Sequence, residues 1–333
     1  MIGTLREEYG FDWPSNYSEQ THKEYLSKHT EKQSKYVPRW KELKKDYARS
    51  PKLKKMVRKG IPKAYRFEVW MEISSAGAQM AANPGLYDKL VTRCAEKTYK
   101  GITTEADEQN LTCLKLDIPR TFPEHPGFKE PVVRNNCQDI LMAFCLYRPD
   151  TGYCQGLNYL VGTLLLATQH PDGELRPEEC FWLLVCLIDM LPGYHATGLA
   201  GVQRDCRVLE AYFNKKVPTT WGHFASFKLP VQLFAVKWFI CLYVDVLPFH
   251  TVLHVWDTIF YEGPKILFRV AVYQMISHKD QIKTLDDECK LAMYLKENFT
   301  WDPRAWDNYA YMKGVFGKTG KMSKERLEQM RNA

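Results

Sequence analysis

The sequence predicts an all-α protein, and three observations lead there. Apolar residues recur at the 3.6-residue spacing of an amphipathic helix, as in Val133, Cys137, Leu141 and Phe144. Residues 157–167 and 180–191 are apolar nearly all round, which marks central helices buried on most sides. Strand-type alternation bounded by turn residues is missing throughout. No internal repeat of fixed period occurs, so self-similarity gives no support to a solenoid.

The elements follow in order. The lead, residues 1–50, is polar and aromatic by turns (Tyr9-Gly10-Phe11-Asp12-Trp13, then Tyr17, Tyr25, Tyr36 and Trp40), an irregular entry followed by helix. Gly60-Ile61-Pro62 then punctuates the chain. A proline at an opening turn suits a helix over 63–75, with Arg66 and Trp70 on one face. A helix over 86–97 comes next, and the polar stretch 98–112 reads as loop. The Val133 stripe predicts a helix ending before Pro149. Further helices are expected over 205–214, 229–247, 252–261 with Gly263 as a stop, 266–278, 285–297 and 303–315.

Composition sets the outer bounds. The chain has 333 residues, 45% of them hydrophobic and 26% charged, with a mean hydropathy of −0.40, the profile of a soluble globular protein. Its most apolar stretch, 229–249, is broken by Lys237 and Asp245 and reads as a buried helix, not a membrane span. The net charge of +7 is concentrated between Arg39 and Lys63, where Lys44, Lys45, Lys52, Lys54, Lys55, Arg58 and Lys59 crowd together as a solvated helix face. Nucleic-acid binding would call for interleaved aromatics, and among the crowded cations from Lys44 to Lys59 only Tyr47 is aromatic. Ten scattered cysteines without a Cys-x-x-Cys pair read as reduced core thiols of a cytosolic protein. No signal peptide, myristoylation glycine or prenylation cysteine is present, so a cytoplasmic location is expected, compatible with peripheral recruitment to endomembranes.

Several motifs fail on inspection. Gly317-Lys318-Thr319 ends like a phosphate-binding loop, but Met312 stands where that loop needs glycine. His250 and His254 are four apart without a glutamate between them or a third ligand, so they read as core or surface histidines. The sequons at Asn16, Asn110 and Asn298 carry no weight in a protein that is not secreted.

Three polar segments beside apolar helices remain. In Leu114-Lys115-Leu116-Asp117-Ile118-Pro119-Arg120-Thr121-Phe122-Pro123 an acid precedes an arginine by three residues, a tether that can aim a guanidinium. Taken alone, Arg120 reads as a surface cation and Asp117 as a helix cap. In Tyr153-Cys154-Gln155-Gly156-Leu157-Asn158, entered through Gly152, glycines on both sides of Gln155 permit an unusual turn and close approach of another chain. Alone, Gln155 reads as an exposed loop amide. In His254-Val255-Trp256-Asp257-Thr258-Ile259-Phe260 the structural reading wins: Trp256 and Phe260 are core aromatics, and Asp257 accepts a hydrogen bond inside the domain.

In this order, and with Gly60-Ile61-Pro62 and Arg66-x-x-x-Trp70 ahead of them, the segments resemble the TBC-domain Rab GTPase-activating proteins. Leu114-x-x-Asp117-x-x-Arg120-Thr121 looks like that family's arginine-finger motif, and Tyr153-x-Gln155-Gly156-x-Asn158 like its glutamine-finger motif. The layout is also similar to the short members called growth-hormone-regulated TBC proteins, which likewise open with a Tyr-Gly-Phe segment. Leu114 and Leu157 stand where the family usually has isoleucine and methionine, apolar exchanges of similar volume.

The resemblance implies a single large multi-helix TBC domain over about residues 59–278, a partly helical basic lead over 1–58, and C-terminal helices over 279–333. It implies a GTP-bound Rab-family small GTPase as partner, with Arg120 and Gln155 catalytic in trans. Asp117, Thr121, Arg66, Tyr153, Gly156, Asn158, Trp256 and Asp257 would support them. No cofactor or metal of its own is implied, because GTP and Mg²⁺ would be carried by the GTPase. The competing readings are a catalytically silent Rab-binding adaptor and a helical scaffold whose basic third docks on membranes or nucleic acid.

Overall fold

The computed structural model describes residues 6–13, 18–43, 46–298 and 303–332. Lys44 and Lys45 of the basic cluster, Tyr17 and the Asn16 sequon lie outside them. Every regular element among the described residues is helical, as the sequence predicts, and the chain divides into two compact units.

The first unit comprises residues 1–56 and 61–189. Its helices are α1 (Glu19–Lys41), α2 (Pro51–Val57), α3 (Lys63–Ile73), α4 (Ala76–Ala82), α5 (Leu86–Tyr99), α6 (Glu105–Asp117), α7 (Pro126–Lys129), α8 (Pro131–Tyr147), α9 (Leu157–Thr168) and α10 (Pro177–Asp189). The two segments that are apolar on all sides become α9 and α10, where nearly every residue is buried. Around them α10 packs on α4, α8 and α9, α3 packs on α9, and α5 and α6 cover α8. A helix with no polar face must be surrounded, so these two form the centre.

The second unit comprises residues 57–60 and 190–333. It holds α11 (Ala200–Lys216), α12 (Pro218–Ser226), α13 (Gln232–Ile240), α14 (Phe249–Glu262), α15 (Lys265–Ser277), α16 (Lys279–Thr284), α17 (Glu288–Asn298), α18 (Asn308–Lys318) and α19 (Lys324–Arg331). Its centre is α14, buried from Phe249 to Tyr261, against α15 and α18. On α11, the fully buried Asp205 accepts hydrogen bonds from Tyr194 Oη at 2.5 Å and from Arg331 Nε at 3.0 Å and Nη2 at 2.5 Å. A carboxylate in that position needs such partners, because an unpaired buried charge costs several kcal/mol, on the order of 3–5.

Three expectations need correction. Residues 98–112 are not all loop: α6 starts at Glu105, and Thr104 with Asp107 forms a capping box in which each side chain accepts the other's backbone N–H. That signal, Thr104-x-x-Asp107, is a helix start that polarity alone conceals. The stretch 229–247 is not one helix. Only α13 forms, and Leu242, Tyr243 and Asp245 then take positive φ in a turn that buries Leu242 and Tyr243 and leaves Asp245 exposed. Local turn bonds such as Val244 N–H to the Cys241 carbonyl at 2.9 Å replace the helical ladder there, Trp256 Nε1 takes the Leu242 carbonyl at 3.0 Å, and Tyr243 Oη donates to the Leu267 carbonyl at 2.7 Å. Finally, the thiols are not all core: Cys113 and Cys289 are exposed, while six of the ten are buried.

His250 and His254, four apart on α14, direct their Nε2 atoms at the Trp306 and Arg58 carbonyls, the part of core histidines. No helix among the described residues is long and apolar enough to cross a membrane.

Trp70 on α3 and Trp256 on α14 are both fully buried. Trp256→Ala removes an indole, its edge-to-face contact with Phe260 and its hydrogen bond to Leu242. Each tryptophan-to-alanine change is expected to cost about 3–5 kcal/mol and to be visible in urea unfolding. An unshifted midpoint would remove that residue from the core.

Candidate functional site

The site is built on two loops of the first unit. The first leaves α6, whose ladder stops because Pro119 has no N–H to extend it. The chain turns back at once, Thr121 N–H donating to the Ile118 carbonyl at 3.0 Å, and Phe122 follows at φ 46°. A bulky residue in the left-handed region costs on the order of 1–3 kcal/mol and persists only where its surroundings hold it. Here three rings meet the Phe122 ring edge to face: Phe11 at 5.1 Å, Phe128 at 5.4 Å and Tyr159 at 5.5 Å between centroids.

The second loop joins α8 to α9. Gly156 caps α9 at φ 112°, a conformation that only glycine takes readily. Gln155, directly before it, is exposed, and among the described residues its side-chain amide has no protein partner.

A buried hydrogen-bond network ties the loops together. Asp117 accepts from Arg120 Nη2 with one carboxylate oxygen and from Tyr153 Oη at 2.5 Å with the other. Asn158 Oδ1 accepts from the Gly156 N–H at 3.0 Å, its Nδ2 donates to Thr121 Oγ1 at 2.7 Å, and Thr121 Oγ1 donates to the Asp117 carbonyl at 2.8 Å. Burial first, and the hydrogen bond to Asp117 next, push the Tyr153 phenol far above its usual range, so it stays a protonated donor. The support is dry while the tip is wet: the Asp117 side chain is 5% exposed and the Arg120 side chain 56%. Among the described residues Nε and Nη1 of Arg120 have no protein partner, so most of a planar donor fork is left for a ligand.

Of the predicted site residues the structure thus gathers Asp117, Arg120, Thr121, Tyr153, Gln155, Gly156 and Asn158. Arg66 lies in the same unit, where its guanidinium donates to Tyr9 Oη and, at 2.6 Å, to the Ile61 carbonyl. Trp256 and Asp257 are buried on α14 of the second unit.

Sequence reasoning passed over Gly162. A Cβ there would lie 2.8 Å from Phe128 Cζ, 3.1 Å from Phe122 Cε2 and 3.2 Å from Thr121 Cγ2, so the arginine loop rests against bare helix backbone. A glycine inside an otherwise apolar helix was the available signal. Gly162→Ala is expected to destabilise by about 1–3 kcal/mol through overpacking. Unfolding midpoints equal to wild type would show that the loop yields freely.

A family model, the Rab-GTPase-TBC domain, matches residues 63–283. The chain belongs to that family. Over 335 aligned residues it is 30% identical to human growth hormone-regulated TBC protein 1, covering 98% of this chain and 93% of that protein. It is 33% identical to the yeast GTPase-activating protein MSB4, over 68% of this chain and 49% of that protein. The crystal structure of the Chlamydomonas flagellar RabGAP TBC domain superposes with a TM-score of 0.79 at 26% identity, covering 95% of this chain and all of that one.

Proposed function

We propose that this TBC protein accelerates GTP hydrolysis on a Rab-family small GTPase in its GTP-bound state, inserting Arg120 and Gln155 in trans. One observation carries the reading: two exposed side chains of the right chemistry stand on separate loops that a single buried network joins through Asp117, Tyr153, Asn158 and Thr121. Phosphoryl transfer demands positioning and charge stabilisation more than covalent chemistry, and preorganised donors supply both. Arg120 would hydrogen-bond the phosphoryl oxygens as charge grows on them. Gln155 would orient the attacking water. Asp117, itself fixed by Tyr153, holds Arg120 near that position before the partner arrives, which reduces the side-chain entropy lost on engagement. The nucleotide and Mg²⁺ belong to the GTPase.

Membership of the family and the likeness to GTPase-activating relatives support this reading, and the partner they suggest implies work in the cytoplasm or at the surface of endomembranes. The deciding measurement is single-turnover phosphate release from a panel of GTP-loaded Rab GTPases, with Arg120→Ala as control. A partner that binds in a GTP-dependent way but is never accelerated would make the protein an adaptor instead. Salt-sensitive membrane binding with no nucleotide dependence would favour a scaffold.

A further inference from the structure

We propose that Phe11 is a positioning residue for the arginine loop, clamping Phe122 from the N-terminal side so that Arg120 is presented in one orientation; the catalytic part of this inference rests on the function proposed above.

Residues 6–13 close on themselves: Arg6 bridges to Asp12, its Nε donating to the carboxylate at 3.1 Å, while Glu7 N–H donates to the Phe11 carbonyl at 2.9 Å and Gly10 N–H to the Glu7 carbonyl at 3.0 Å. This small loop is pinned on both sides. Trp13 packs on His22 and Tyr25 of α1 at 4.8 and 5.2 Å between centroids. Tyr9 is held by Arg66 on its hydroxyl, and Lys63 Nζ sits 4.6 Å from its ring centre. Arg66 therefore helps to anchor this segment.

From that base Phe11 reaches the loop that carries Arg120. Its ring meets Phe122 at 5.1 Å with an interplanar angle of 86°, and His125 at 4.5 Å. His125 forms the second fastening. Its Nδ1 accepts the Gly127 N–H at 3.1 Å, so Nε2 carries the proton and donates to the Tyr9 carbonyl at 2.7 Å. Phe122 also meets Tyr159 of α9, whose hydroxyl donates to the Arg120 carbonyl at 3.4 Å. Phe122 is thus a strained residue held by rings from the N-terminal segment, α7 and α9, two positions after the arginine. Without Phe11 one of these ring contacts is lost. The hold against a return of Phe122 to negative φ then weakens, and the preceding peptides would turn with it.

The test compares wild type with Phe11→Ala, Phe11→Leu and Phe11→Tyr. In the free protein, hydrogen exchange of the Thr121 and His125 amides, which bond to the Ile118 and Phe122 carbonyls, is expected to quicken about tenfold in Phe11→Ala while α8, α9 and α10 keep their protection. With a responsive Rab GTPase, kcat of stimulated hydrolysis is expected to fall about tenfold with KM within about twofold, and Phe11→Tyr, which keeps the ring edge, to stay near wild type. Should the alanine variant unfold, Phe11→Leu, with bulk but no ring, repeats both measurements. Unchanged protection at Thr121 and His125 overturns the proposal. So does a rise in KM at constant kcat, which would make Phe11 a surface that touches the GTPase. Failure of the underlying function looks different: Arg120→Ala would then match wild type, and the exchange measurement would still decide whether Phe11 holds the loop.

Discussion

Arg120→Ala is expected to lower stimulated GTP hydrolysis by about 10³–10⁵-fold, equivalent to roughly 4–7 kcal/mol of barrier, with the fold intact. The fold should survive because the Arg120 side chain is more than half exposed and its ion pair with Asp117 is partly solvated. Such a pair contributes about 1 kcal/mol or less. Asp117 also keeps its bond from Tyr153. Arg120→Lys is expected to fail as well, because a point charge on a flexible stem does not reproduce a planar fork of donors. Circular dichroism and phosphate release together give the answer. Stimulation within about threefold of wild type, less than roughly 1 kcal/mol, would dismiss the arginine-finger role.

The second large effect concerns Gln155. If this side chain orients the attacking water, the GTPase's own catalytic glutamine becomes partly redundant. A cognate Rab with that glutamine changed to alanine is then expected to remain strongly stimulated, whereas Gln155→Ala is expected to lose most stimulation even toward unmodified Rab. Binding to a transition-state mimic of GTP should weaken in parallel, because the interaction strengthens in the transition state. Single-turnover phosphate release for the four combinations separates the cases. A harmless Gln155→Ala together with an indispensable Rab glutamine would leave only the arginine at work. Exposure makes the substitution clean, since Gln155 lies outside the buried network that joins the loops.

Much of the site was legible in the chain because its parts are local. Asp117 and Arg120 are three residues apart and pair within one turn, as the tether argument expects. Gly156 flags the sharp entry to α9. Other parts were not legible, since their partners are remote in sequence. Tyr153 and Asp117 are 36 positions apart, and Asn158 and Thr121 are 37 apart. Arg66 reaches the Tyr9 hydroxyl across 57 positions, a pairing that no local pattern announces.

By itself the sequence determined the helical class, the two central helices and the chemical identity of the exposed tips, because periodicity, an unbroken apolar surface and a side chain's functional group are properties of neighbouring residues. Tertiary structure decided what each tip rests on. It broke the 229–247 stretch after Ile240, where a turn places the Leu242 carbonyl against Trp256 Nε1 and overrides helix propensity. It set Phe122 at positive φ between rings from the N-terminal segment, α7 and α9, and it required a glycine at 162 to let the arginine loop touch α9. Strain and close approach depend on which distant surfaces meet, and that information exists only once the chain has folded.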